Sequence, residues 1–316
     1  MTERPPQNLK EGDERMKFMK VLGVALLICL LGQSLVSAAP RASHPYSSTL
    51  KATFYSESLQ KNMRLNVYLP PNYDSQDRYP VLYVLHSYKL NEDHWFDALG
   101  ITKKSDALIA KGSIEPLIIV APEIDNSFGV NSSKQPGYAE GSGAPGDEGV
   151  LYTGMYEDYI TKDVVSYVDT HFNTLKSRNS RYIGGTSMGG FSALHIGFRH
   201  PELYSKVGGH SPALFDGPMW DVLEKMIYPT KEVRKQNDPL YLAANQKLNK
   251  LQIYLDMGDQ DDFKVVTQKL SDILKGVKTK SFEFHVNKGG HHDDAYWSSQ
   301  MENYLLFYAG VEPDSN

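Results

Sequence analysis

Tyr79-Pro80-Val81-Leu82-Tyr83-Val84-Leu85-His86 is almost unbroken in apolar character, and no other stretch limits the fold as strongly. A strand with one wet face alternates apolar and polar residues, whereas an unalternated run has to be covered on both faces, as in a parallel sheet. Similar runs recur at residues 116–122, 251–255 and 281–286. Helical spacing of apolar residues fills the intervals, at 104–111, 156–172, 191–200, 262–274 and 294–308. Strands in alternation with helices predict a mostly parallel sheet with helices on both faces. Residues 49–56 and 63–69 alternate instead, which predicts an antiparallel hairpin at the edge of that sheet. No fixed-period repeat interrupts the pattern, and 316 residues with 41% hydrophobic content suffice for one large core. The expectation is an α/β domain over residues 49–316.

The preceding residues read differently. Residues 1–16 are polar, Lys17 and Lys20 follow, and an apolar run at 21–32 leads into Gln33-Ser34-Leu35-Val36-Ser37-Ala38-Ala39-Pro40. A basic region, a short apolar stretch and small residues predict a secretory signal within residues 1–38, cleaved after Ala38, and a linker at 39–48. An uncleaved anchor is the alternative, and Met16 or Met19 could serve as the start. Cys29, the single cysteine, lies inside the apolar run. Cleavage therefore leaves a chain with no disulfide and no thiol nucleophile, in keeping with an extracytoplasmic domain large enough to do without staples. The net charge of -5 supplies no basic field for nucleic acid or an anionic membrane. Two stretches break the strand-helix rhythm: a Gly-, Ser-, Asn- and Pro-rich loop at 125–154, and residues 212–250, where Phe215, Met219, Trp220, Met226, Tyr228 and Tyr241 suit a small helical cap over a cleft. Both should stand at the carboxyl edge of the sheet, where open α/β folds bind ligands.

Gly185-Thr186-Ser187-Met188-Gly189 supplies the chemistry. It follows the short strand-like segment Arg181-Tyr182-Ile183 and precedes a helical pattern, the context of a nucleophile elbow in which a sharp turn lifts the serine above the sheet. Small residues flank the serine because strand and helix pass close together there. A serine hydroxyl needs a histidine to take its proton and a carboxylate to hold that histidine. In α/β hydrolases the acid and then the histidine follow the serine, each after a later strand. Here Asp256-Met257-Gly258-Asp259-Gln260-Asp261-Asp262 follows one apolar run and Gly289-Gly290-His291-His292-Asp293 the next. Asp256 belongs to a strand end and Asp262 to a helix start, which leaves Asp259 or Asp261 as the acid. His291 and His292 point apart in an extended segment, so one of them is the base. Adjacent ligands also project apart around a metal, so the His-His-Asp-Asp string does not suggest a metal site, and no cofactor is expected. The oxyanion needs two amide donors: Met188, next to the nucleophile, and Tyr88, in the loop after residues 79–86.

With these residues in place the chain resembles the esterase family of α/β hydrolases that includes feruloyl and acetylxylan esterases, S-formylglutathione hydrolase and the mycolyltransferases. The resemblance spans about 50–309. It is carried by residues 79–86, Trp95-Phe96, Asn126-Ser127-Phe128, Tyr156 with its helix, 185–190, Gly258-Asp259-Gln260-Asp261, and Gly289-Gly290-His291-His292 with Trp297. It implies the α/β-hydrolase fold, Asp261 as the acid of a G-x-x-D turn, and His292, five residues before Trp297, as the base. Ser87 departs from the family's usual glycine, and the export signal departs from cytosolic S-formylglutathione hydrolases. The implied activity is that of a secreted serine carboxylesterase on a small-molecule or polysaccharide ester, with plant polysaccharide foremost. Acyl transfer, hydrolysis of another exported ester such as a siderophore or lipid, and a non-catalytic carbohydrate-binding role are the alternatives.

Overall fold

The computed structural model describes residue 1 and residues 45–74, 76–142 and 149–311. The chain divides into Met1–Ala42 and Ser43–Asn316, and only the second unit is described below. The expected signal, its cleavage point and most of the linker lie outside the described residues.

Strands β1 (Ser48–Ser56) and β2 (Lys61–Leu69) form the antiparallel hairpin that alternation predicts, paired from Ser48 with Leu69 to Ser56 with Lys61. Strand β3 (Val81–Leu85) is buried throughout, followed by a π-helical turn, His94–Ala98, and helix α1 (Ile101–Ala110). Strand β4 (Ile118–Pro122) is equally buried. The long loop after it carries a small hairpin, β5 (Gly137–Tyr138) with β6 (Tyr152–Thr153). A helical segment then runs through Tyr156–Asp158 and the π-helical stretch Tyr159–Val164 into α2 (Val165–His171). Strand β7 (Arg181–Thr186) leads to α3 (Met188–Arg199), and β8 (Lys206–His210) to a cap of three short helices, α4 (Asp221–Ile227), α5 (Lys231–Asn237) and α6 (Pro239–Asn245). Strand β9 (Gln252–Gly258), α7 (Lys264–Lys275), β10 (Ser281–Asn287) and α8 (Asp294–Ala309) complete the chain.

Eight strands form one sheet in the order β1-β2-β4-β3-β7-β8-β9-β10. From β4 through β10 every neighbouring pair is parallel, and β2 joins β4 antiparallel. Residue alternation along a strand sends neighbours to opposite faces, and the core divides accordingly. Val81, Tyr83 and Leu85 pack with α3 residues such as Phe191 and Leu194, whereas Leu82 and Val84 pack with Ile101, Trp297 and Leu305. That two-sided burial is why the strand carries no polar alternation.

Strand β8 has no counterpart among the apolar runs of the sequence. Lys206-Val207-Gly208-Gly209-His210 has a single branched side chain, Val207, and two glycines where a buried strand usually carries more, because its neighbours need the room. A β-carbon on Gly208 would run into the Tyr308 hydroxyl and crowd the His210 ring, and one on Gly209 would press on Leu194. Among the described residues no helix is long and apolar enough to cross a membrane.

Candidate active site

Ser187 stands between β7 and α3 with φ 54° and ψ -115°, outside the regions open to ordinary side chains. Such a conformation costs of order 1–3 kcal/mol and persists only where its surroundings enforce it. Here the Ser187 amide donates to the His210 carbonyl at 3.1 Å, and the Ser187 carbonyl accepts from Phe191 and Ala213 amides at 3.0 and 2.9 Å. The flanking glycines are required by contact with main chain. A β-carbon on Gly185 would collide with the Gly189 carbonyl, and one on Gly189 with the Leu85 carbonyl, and neither obstacle can swing aside.

Above the turn, His292 Nε2 lies 2.7 Å from Ser187 Oγ, and His292 Nδ1 lies 3.0 Å from Asp261 Oδ2. The two residues come from neighbouring strand ends, Asp261 after β9 and His292 after β10. Asp261 is 1% exposed, and its second oxygen accepts from the Phe263 amide at 2.7 Å. Burial works against ionisation of that carboxyl, yet the His292 and Phe263 donors outweigh it and hold the group below the ordinary aspartate range. Phe263 and Trp297 flank the imidazole at ring separations of 4.9 and 5.2 Å and fix its plane.

The rival residues are occupied elsewhere or turned outward. His291 is exposed. Asp259 accepts from the Gly289 amide at 2.8 Å and so ties the two loops together behind the site. Asp256 is fully buried in β9, where His210, Tyr296 and Tyr304 take up its oxygens. Asp262 is exposed, one residue before the Phe263 cap of α7.

Met188 opens α3, and Tyr88 lies in the loop after β3; both line the same cavity as Ser187 and His292. The departure at Ser87 has a local cause. Its hydroxyl pairs with Thr186 Oγ1 at 2.8 Å, which ties the loop after β3 to the end of β7 beside Ser187. The cavity measures about 1050 Å³, and Leu90, Phe128, Phe215, Met219, Trp220 and Trp297 are among the apolar residues of its wall. Asp293 and Asp294 are the carboxylates on it, and among the described residues neither lysine nor arginine lines it. The cap aromatics were readable as a cleft cover from the sequence. Leu90 was not, because it is an isolated apolar residue in a loop.

Residues 56–308 match the family described as "Putative esterase". The chain belongs to this esterase family, and its fold is that of an α/β hydrolase. A curated relative, "Endo-1,4-beta-xylanase/feruloyl esterase" of Xylanibacter ruminicola, is 26% identical over 258 residues, which cover 80% of this chain and 30% of that protein. The chain thus spans less than a third of that relative. A ferulic acid esterase structure superposes with a TM-score of 0.69 at 22% identity, covering 83% of this chain and 98% of the other. For an S-formylglutathione hydrolase from Agrobacterium tumefaciens the TM-score is 0.67 at 18% identity, with 85% and 96% covered. A ferulic acid esterase from Anaeromyces mucronatus in complex with ferulic acid gives 0.62 at 20% identity, with 83% and 91% covered.

Proposed function

We propose that the protein is an exported serine esterase acting on acyl esters of plant polysaccharide, of the feruloyl or acetylxylan type. The observation that carries this reading is the Ser187–His292–Asp261 chain of contacts, 2.7 and 3.0 Å long, at the floor of an apolar chamber. Ser187 Oγ attacks the ester carbonyl while His292 Nε2 takes its proton, and Asp261 holds the imidazole in the tautomer that leaves Nε2 free to accept it. The Tyr88 and Met188 amides receive the oxyanion. His292 then returns the proton to the departing alkoxide, and water, activated by the same imidazole, releases the acyl group from Ser187.

The chamber wall supports an aromatic or aliphatic acyl group, since a phenylpropenoyl ring buries well against Phe128, Phe215 and Trp220. The xylanase-linked and ferulate-bound relatives support the aromatic choice. The same apolar wall would also hold a long acyl chain, so a lipid-like ester is the second reading.

Hydrolysis of p-nitrophenyl acetate, methyl ferulate, acetylated xylan and a long-chain p-nitrophenyl ester by wild type and Ser187→Ala tests both. The variant should lose ~10⁴-fold or more in kcat on every substrate, because the triad acts as a unit. Equal rates would sink the mechanism, and a preference for the long chain over ferulate would move the substrate to the second reading. Residues 1–38 should be absent from exported protein, with Ala39 as the mature N-terminus in a mass spectrum.

A further inference from the structure

His86 follows β3 directly, is 1% exposed and does not touch the reacting atoms named above. Its Nδ1 lies 2.9 Å from the carbonyl oxygen of Ser87, the next residue. A carbonyl oxygen can only accept, so this contact requires a proton on Nδ1. At the other nitrogen two neighbours make opposite demands. Glu123 Oε1, 3.0 Å from Nε2, needs a proton there, whereas the Ile124 amide, also at 3.0 Å, needs a lone pair. Burial resists charge on both members of the His86–Glu123 pair, but their mutual contact prevails, raising the imidazole and lowering the Glu123 carboxyl to about 2. The charged pair then protonates both ring nitrogens, and the neutral form that satisfies Ile124 keeps its proton on Nδ1. In either state the ring donates to the Ser87 carbonyl, with the Leu90 amide adding a second donor at 3.2 Å.

The Ser87 carbonyl and the Tyr88 N–H belong to one peptide unit. In a trans unit they point in opposite directions, so what holds the oxygen aims the hydrogen. The oxygen is drawn down to a buried ring, while Tyr88 itself stands on the cleft wall with Ser187 and Met188. We propose that His86 is a positioning residue: by anchoring the Ser87 carbonyl through Nδ1–H it aims the Tyr88 amide at the oxyanion formed on Ser187. The proposal rests on the Tyr88 role assigned under the function proposed above. It also gives Glu123 a task, since that carboxylate accepts from Arg64 at 3.2 Å and the Asp125 amide at 2.7 Å and so anchors the ring from behind.

The test compares His86→Asn, whose amide nitrogen can reach the place of Nδ1, with His86→Gln, whose amide reaches only the place of Nε2. With p-nitrophenyl acetate, His86→Gln should lower kcat about 10- to 100-fold with KM within about twofold, short of the ~10²–10³-fold that losing a whole oxyanion donor costs. His86→Asn should recover kcat to within about fivefold of wild type, since it restores the single donor that matters. Affinity for a boronic acid, which forms a tetrahedral adduct on serine, should fall in step with kcat/KM. An unchanged kcat in His86→Gln, or equal losses in the two variants, would overturn the proposal. Nitrogen-15 histidine spectra of the wild-type protein read the same point without any variant. They should show Nδ1 of His86 protonated across roughly pH 5 to 9, and an Nε2-only tautomer would refute it. Ser187→Ala is assayed alongside. If it stays active, the function reading fails and takes this proposal with it; if it is dead while His86→Gln keeps its kcat, only the positioning role fails.

Discussion

At the scale of single residues, the choice between neighbours of like chemistry depends on where each side chain points. His292 reaches Ser187 while His291 is exposed, so the two alanine variants should differ sharply. His292→Ala should lose ~10⁴-fold or more in kcat on p-nitrophenyl acetate, and His291→Ala should stay within about twofold, as exposed positions do. A dead His291→Ala beside an active His292→Ala would reassign the base. Spacing alone left both histidines and both Asp259 and Asp261 open. Family resemblance selected Asp261 and His292, and the geometry brings those two together with Ser187. What spacing lacks is the direction of each Cβ in the turns after β9 and β10, which hydrogen bonds between those turns set, such as Asp259 to the Gly289 amide.

At the scale of elements, the helices around the elbow are tied by a buried charge cluster that no local pattern announces. Glu157, 3% exposed in the turn before α2, accepts from His195 at 3.2 Å, Arg199 at 2.8 Å and His200 at 2.7 Å. All three partners lie on or just after α3, the helix that follows Ser187. Burial opposes the negative charge, but these donors hold the Glu157 carboxyl well below the ordinary range. A depressed folded-state pKa adds stability above the unfolded value of about 4.5 and loses it as pH falls through the folded value. Glu157→Gln should therefore cost roughly 3 kcal/mol at neutral pH. That difference should narrow steadily in urea melts taken below about pH 4.5. A constant difference from pH 7 down to about pH 3 would show that packing, not charge, is responsible. The helix 156–172 and the elbow helix were each legible from apolar spacing. Their connection was not, because Glu157 and His195 are 38 positions apart.

At the scale of the whole molecule, the chamber exists only once four distant segments meet: the loop after β3 with Leu90, the loop after β4 with Phe128, the cap with Phe215 and Trp220, and the start of α8 with Trp297. Trp220 is 60% exposed on this wall, its ring 5.7 Å from that of Tyr88. An aromatic left that open at the mouth of an apolar chamber should contact the substrate. Trp220→Ala should raise KM for methyl ferulate by roughly tenfold, about the worth of one aromatic pair. Its kcat on p-nitrophenyl acetate should hold within about twofold, because nothing at the reacting centre changes. Equal KM values on ferulate would remove Trp220 from the binding surface. The amino-acid sequence by itself determined the layer order, the edge hairpin and the elbow, because burial on both faces and the crowding of Gly185 and Gly189 act over a few residues of chain. Only the tertiary structure decided that the glycine-rich segment 206–210 is a central strand and what lines the chamber. Those outcomes are set by contacts between residues far apart in the chain, where the space left by a Tyr308 hydroxyl or the turn of one loop onto another carries no local signature.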